Sequence, residues 1–234
     1  MSEDQPPCLR AEESVPVRVW DLPVRLAHWL IVLLVAFSWM TAENNWLGWH
    51  NLSGYAILSL VIFRIFWGFC GSSTARFTHF LRGPKAVRHY VRALCARDRQ
   101  HLFLGHNPLG GWNVLALLSV LLLQAGLGLF AVDVDGLESG PLAPYLSFES
   151  GRQVAALHEG AFNFLLLLIG LHIAAAVVHL LYMRENLIAP MLTGIKRVPR
   201  AQVRALAHAT PWLALAGMAV SILLILLLVA GLWN

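Results

Sequence analysis

Five long stretches almost empty of charge run through the chain, and they decide which solvent it can fold in. Leu26 to Ala42 carries no formal charge and Asn51 to Cys70 carries only Arg64. Leu109 to Val132, Gly160 to Met183 and Ala205 to Asn234 contain no Lys, Arg, Asp or Glu. Each has at least the ~17 residues that a membrane-spanning helix needs. The composition agrees, since 58% of residues are hydrophobic and 13% charged, against about 25% charged in soluble domains. The expectation is an all-α integral membrane protein without a soluble domain. Met1 to Pro16 is polar and carries Glu3, Asp4, Glu12 and Glu13, with no basic start and no apolar run, so it reads as a retained amino terminus rather than a signal peptide.

The net charge of +4 does not point to nucleic acid, because the excess follows alternate loops. Arg76, Arg82, Lys85, Arg88, Arg92, Arg97 and Arg99 lie between the second and third stretches, and Arg184, Lys196, Arg197, Arg200 and Arg204 between the fourth and fifth. In the other loops Glu43 stands alone in the first, and Asp133, Asp135, Glu138 and Glu149 outnumber Arg152 in the second. The positive-inside rule then places the amino terminus in the cytoplasm and the carboxy terminus in the periplasm of a cell inner membrane. Trp20, Trp46, Trp49, Trp67, Trp112, Trp212 and Trp233 fall near span ends, as an aromatic belt would. Cys8, Cys70 and Cys95 share the cytoplasmic side, where thiols stay reduced, and none stands in a C-x-x-C-H run, so any haem is held without a thioether. Within Gly71 to Pro108, the spacing of Val87, Tyr90, Val91 and Leu94 predicts a short amphipathic helix on the inner surface.

Five of the ten histidines, His28, His50, His158, His172 and His179, fall in or at the ends of spans, where an ionisable group is costly and needs a reason. The bland reading of any one is a hydrogen bond between helices. Their spacing argues for more. From His158 to His172 a helix returns to within ~40° of the same face after about 21 Å, so one helix offers two imidazoles at two depths. His28 near the inner end of the first span and His50 at the outer end of the second differ in depth by about the same distance. His28 is therefore expected to meet His172, and His50 to meet His158, making two bis-imidazole sites. His179 shares the face of His172 but lies too deep to fit this pairing, and reads as an inner-interface residue.

Arg64 follows His50 by the spacing that separates His158 from His172, which aims it at the inner site, where a guanidinium can pair with a haem propionate or snorkel to the surface. Gly54, one turn beyond His50, and Gly170 beside His172 leave room for a macrocycle or simply for helix packing. His79, His89, His101, His106 and His208 fall in or beside basic loops. His106 belongs to the turn Gly105-His106-Asn107-Pro108-Leu109-Gly110-Gly111 that opens the third span, a place for a quinone headgroup or only a helix-opening turn.

These residues resemble the bacterial cytochrome b561 family, which includes the b-type cytochrome subunits of membrane-bound nickel-iron hydrogenases. The resemblance covers about residues 19–196. It rests on Val19-Trp20-Asp21 with Arg25-Leu26-Ala27-His28-Trp29, His50-Asn51-Leu52-Ser53-Gly54 with Arg64, the turn at His106, His158-Glu159 with Gly170-Leu171-His172, and Glu185-Asn186-Leu187-Ile188 with Thr193-Gly194. It implies a four-helix transmembrane bundle holding two non-covalent haem b groups, their ligands matching His28, His50, His158 and His172. It further implies electron exchange between the quinone pool and a periplasmic redox protein, such as a c-type cytochrome or a hydrogenase-like subunit. On this reading residues 1–23 form a cytoplasmic tail, 24–200 the di-haem membrane domain and 201–234 an additional C-terminal transmembrane helix. Membrane lipid is then a partner and nucleic acid is not. The competing readings are a stand-alone superoxide:quinone oxidoreductase, which needs a basic funnel that Arg152 alone does not make, and a non-redox transporter, which needs further ionisable groups within its spans.

Overall fold

The computed structural model describes residues 14–96, 103–133, 139–200, 203 and 206–231. Cys8, Arg97, Arg99, His101, Asp135, Glu138, Arg204, Trp233 and the acidic residues before Ser14 lie outside them. Among the described residues five helices are long and apolar enough to cross a membrane. Helix α1 spans Leu22–Glu43 and opens on Asp21, whose carboxylate accepts the Val24 amide at 2.9 Å. Asn45, in the left-handed region at φ 57°, turns the chain into α2, Leu47–Cys70. A short helix α3, Phe77–Phe80, and the amphipathic α4, Pro84–Cys95, follow. Helix α5, Pro108–Phe130, is capped by Asn107 and has Pro in its first turn, where the missing amide costs nothing. Helix α6, Phe148–Val178, starts at Ser147 and runs into a wider π-helical turn, His179–Met183. Helix α7, Ile188–Thr193, and α8, Pro211–Val229, complete the set.

Two features stand apart from the sequence expectation. The fourth span begins at Phe148 rather than Gly160, because Glu149, Arg152 and Glu159 occupy the first turns of α6 and a charge-free window excludes them. An antiparallel ribbon of two strands, β1 (Ser14–Arg18) and β2 (Ile195–Pro199), adds to the helices, with Ser14 opposite Pro199 and Arg18 opposite Ile195.

Helix α1 packs on α2, α2 on α5 and α8, and α5 on α6, whereas α1 and α6 are not among the closely packed pairs. Leu22, Leu33, Leu171, Leu215 and Leu226 point outward and stay exposed, as lipid-facing side chains must. Midway along the bundle Ile57, Val61, Leu121 and Leu165 form one apolar layer with Ile31, Leu34, Phe162 and Ile169, drawn from all of α1, α2, α5 and α6. The end that carries the arginine-rich connection, the basic end, is tied more elaborately. Asp21 also accepts from Trp67 at 2.9 Å and Ser72 at 2.5 Å, and the amides of Val19 and Trp20 donate to the Gly194 carbonyl. Arg25 and Trp29 donate to the carbonyls of Leu192 and Met191, so α7 grips the start of α1. Gly194 sits at φ 84°, and a Cβ there would lie 2.8 Å from the Trp20 carbonyl, so only glycine closes this junction.

Candidate functional site

The bundle brings the four histidines together in two pairs. The rings of His28 and His172 lie with centroids 6.3 Å apart and planes at 53°, and those of His50 and His158 at 6.0 Å and 87°. Two imidazoles bonded from opposite sides to one metal, each through a bond of ~2 Å, have centroids about 6.2 Å apart. Since His158 and His172 are both on α6, the pairs are separated along the bundle by about 21 Å. No cluster of three or more His, Cys, Asp or Glu occurs among the described residues, so each pair offers two protein ligands and no more. A metal held by two imidazoles alone must bring its remaining ligands with it, which is what a porphyrin does.

Hydrogen bonds fix how the rings point. His50 Nδ1 donates to the Ser38 carbonyl at 2.9 Å, and His158 Nδ1 donates to the Gln124 carbonyl at 2.9 Å. A carbonyl only accepts, so Nδ1 carries the proton in both rings and Nε2 holds the lone pair that a ligand bond needs; in His158 that nitrogen lies 3.2 Å from the side-chain amide of Gln124, which a ligand bond there has to displace. His172 Nδ1 is 3.0 Å from the side-chain amide of Asn113. Among the described residues four shielded polar atoms have no hydrogen bond: Arg25 Nε at the start of α1, and His28 Nδ1, His106 Nδ1 and Gln124 Oε1, of which His28 belongs to one pair and Gln124 touches the other. Such atoms cost about 1–3 kcal/mol each when nothing meets them, and those at the two pairs fit a bound group between the imidazoles. A Cβ on Gly54 would meet nothing within 4 Å, so the backbone beside His50 borders open space. The residues fit a haem at each pair.

Ser38, Asn113 and Gln124 escaped the sequence reading, although a signal was there. Asn113 and Gln124 are the two amides of α5, and their spacing returns a helix to within ~20° of one face. They align with His172 and His158 because α5 and α6 run in opposite directions.

Arg64 is buried at the basic end, with one hydrogen bond among the described residues, to the Ala75 carbonyl at 3.4 Å, and its guanidinium carbon 5.7 Å from the centre of the Phe77 ring. His179 lies away from the pairs and is not a solvated interface residue. It is buried, with Nδ1 donating to the Ala175 carbonyl at 2.8 Å and Nε2 2.6 Å from the Tyr90 hydroxyl of α4. A hydroxyl donating to that nitrogen stays protonated, and burial, followed by the Glu185 carboxylate, pushes Tyr90 up to about 12. A small cavity of about 30 Å³ lies here among Tyr90, Asn107, His179 and Glu185, room for a water or two and not for a ring. Lys196 closes its rim by pairing with Glu185 at 2.6 Å and donating to the Phe103 carbonyl. His106 is not solvated either: its ring lies against Trp20 and Phe80, and burial, reinforced by the charges of Arg64, His172 and His28, pulls it down to about 3.

A multi-pass helical bundle with imidazoles paired at two depths is the architecture of a membrane-bound b-type cytochrome. Residues 19–194 match the family model described as prokaryotic cytochrome b561, and the chain belongs to that family. It is a multi-pass membrane protein of electron transfer, and its cofactor is haem b. The curated relatives it resembles include the probable Ni/Fe-hydrogenase B-type cytochrome subunits of Azotobacter chroococcum mcd 1 and Azotobacter vinelandii. Each is 23% identical over 218 residues, covering 79% of this chain and 90% of the relative. The protein of that name from Bradyrhizobium diazoefficiens is 22% identical over 217 residues, covering 79% and 87%. No solved structure matches the chain.

Proposed function

We propose that this chain conducts electrons across the membrane through two haems, one held by His28 and His172 and one by His50 and His158, between a redox protein at the far end and the quinone pool. The observation that carries the reading is the pair of imidazole couples, each at the separation a shared axial metal requires, at two depths of one bundle. A bound haem supplies reversible one-electron chemistry at each couple. The protein's part is to hold the rings and keep their tautomers. The Ser38 and Gln124 carbonyls fix Nδ1–H at the far end, Asn113 steadies His172, and the apolar layer around Val61 and Leu165 excludes water between the sites. By the distribution of Lys and Arg the basic end faces the cytoplasm, which puts the His50 pair on the periplasmic side of the inner membrane. A hydrogenase-like partner there is supported by the names of the relatives, and Gly54 and Arg64 are the residues that accommodate the macrocycles. The purified protein should contain two haems per chain in a pyridine haemochrome assay, and replacing His50 or His172 with Leu should each remove one. A ratio of one in the unaltered protein would exclude the two-site reading.

A further inference from the structure

At the basic end an imidazole and a guanidinium stand near the His28 and His172 pair and are short of polar partners. His106 is wedged between Trp20, centroid to centroid 4.7 Å, and Phe80, 4.5 Å, on the turn that leads into α5. Its Nδ1 is closed off from solvent and has no hydrogen-bond partner among the described residues. Arg64 is reached from it through one aromatic wall, since Phe80 contacts Phe77 at 5.6 Å and the guanidinium lies over Phe77. Arg64, too, is under-supplied, as a buried cation whose one hydrogen bond among the described residues is the long one to Ala75. Asp21, the acid whose charge it feels, already accepts from Val24, Trp67 and Ser72. A ring nitrogen that donates in one of its tautomers and a cation whose neighbouring acid is already engaged, on one wall, are both satisfied by a carboxylate.

We propose that His106 and Arg64 together bind a carboxylate, and that it belongs to the propionate side chains of the haem held by His28 and His172. The proposal rests on the two-haem reading and adds His106 to it as a positioning residue rather than an axial ligand. A carboxylate carried on the porphyrin arrives beside these groups because the neighbouring imidazoles bring it there. An unlinked acid would have to enter the bundle on its own.

The test uses the full-length protein in detergent, with His106→Leu and His106→Gln, optical redox titration and the haemochrome assay. Both variants should keep two haems. His106→Leu should lower one of the two midpoint potentials, because a propionate deprived of its donor holds more negative charge near the iron. The other midpoint should stay, and His106→Gln, whose amide can still donate, should recover part of the shift. Protein reconstituted with haem dimethyl ester, which has no free carboxylate, should show no difference between His106→Leu and the unaltered chain. Unmoved midpoints in His106→Leu, or the same shift with ester haem as with native haem, would overturn the proposal. If His106→Leu does not fold, the comparison of His106→Gln with the unaltered chain in native and ester haem decides in the same way. A single-haem wild type whose haem disappears in His172→Leu would end the two-site reading, and its one midpoint should then fall in His106→Leu with native haem and not with ester haem, any other result overturning the proposal. A single haem that survives His172→Leu would overturn both.

Discussion

His172 and His179 differ by two turns of one helix face and are chemically identical, so their surroundings decide what each does. His172 faces His28 across 6.3 Å, while both ring nitrogens of His179 are already engaged, one by the Ala175 carbonyl and one by Tyr90. Replacing His172 with Leu should therefore abolish one low-spin haem in the reduced-minus-oxidised spectrum. His179→Leu should leave both haems and cost stability instead, roughly 1–3 kcal/mol for the Tyr90 hydroxyl left without its partner. The pairing of histidines was legible from spacing because helix rise converts residue number into depth, and depth is all that two facing ligands must share. The orienting groups were less legible. Ser38 and Gln124 accept Nδ1–H through backbone carbonyls, which every residue has, so this part of their role is marked by no letter in the sequence, although their side chains also lie within 3.2 Å of the rings.

At the scale of elements, α4 docks on the bundle through Tyr90, and this contact carries a pH signature. Tyr90 has its folded pKa raised above that of the unfolded chain, so the folded state holds the proton more tightly. The stability it contributes is complete below about pH 10 and is lost as pH rises toward 12. Melting curves in detergent between pH 8 and 11 should show this alkaline loss in the parent and less of it in Tyr90→Phe, which should also melt lower at pH 8. Helix α8 docks differently, with Gly217 against the Phe66 ring of α2, where a Cβ would approach to 2.4 Å. Gly217→Leu should cost about 1–3 kcal/mol by overpacking yet leave the haem-to-protein ratio unchanged, since α8 packs mainly on α2 and carries none of the paired histidines. Unequal legibility among elements has a plain cause. The spans announce themselves by composition alone. The β1 and β2 ribbon joins residues far apart in sequence, and neither Ser14–Arg18 nor Ile195–Pro199 carries an alternation that names the other.

For the molecule as a whole, the asymmetry of charge sets direction. A reporter fused at Arg92 should behave as cytoplasmic, and one inserted after Asn44 as periplasmic. The opposite pattern would invert the bundle and put the His28 pair, not the His50 pair, next to an external partner. Which partner docks there was not legible, because a docking face is read from exposed residues and every exposed side chain within the spans is equally explained by lipid.

The apolar layer of Ile57, Val61, Leu121 and Leu165 has an electrical consequence. On the two-haem reading it is the dielectric of a small capacitor whose plates are the two histidine pairs. Most of a membrane potential drops across such a dry layer, so a charge passing from one pair to the other does work against the field, up to about 2.3 kcal/mol per 100 mV if it crosses the full thickness. With no ionisable group among these residues to let a counter-ion follow, each electron that crossed on that reading would charge the membrane. The division of electrons between the two ends then depends on voltage as well as on the intrinsic affinities of the sites.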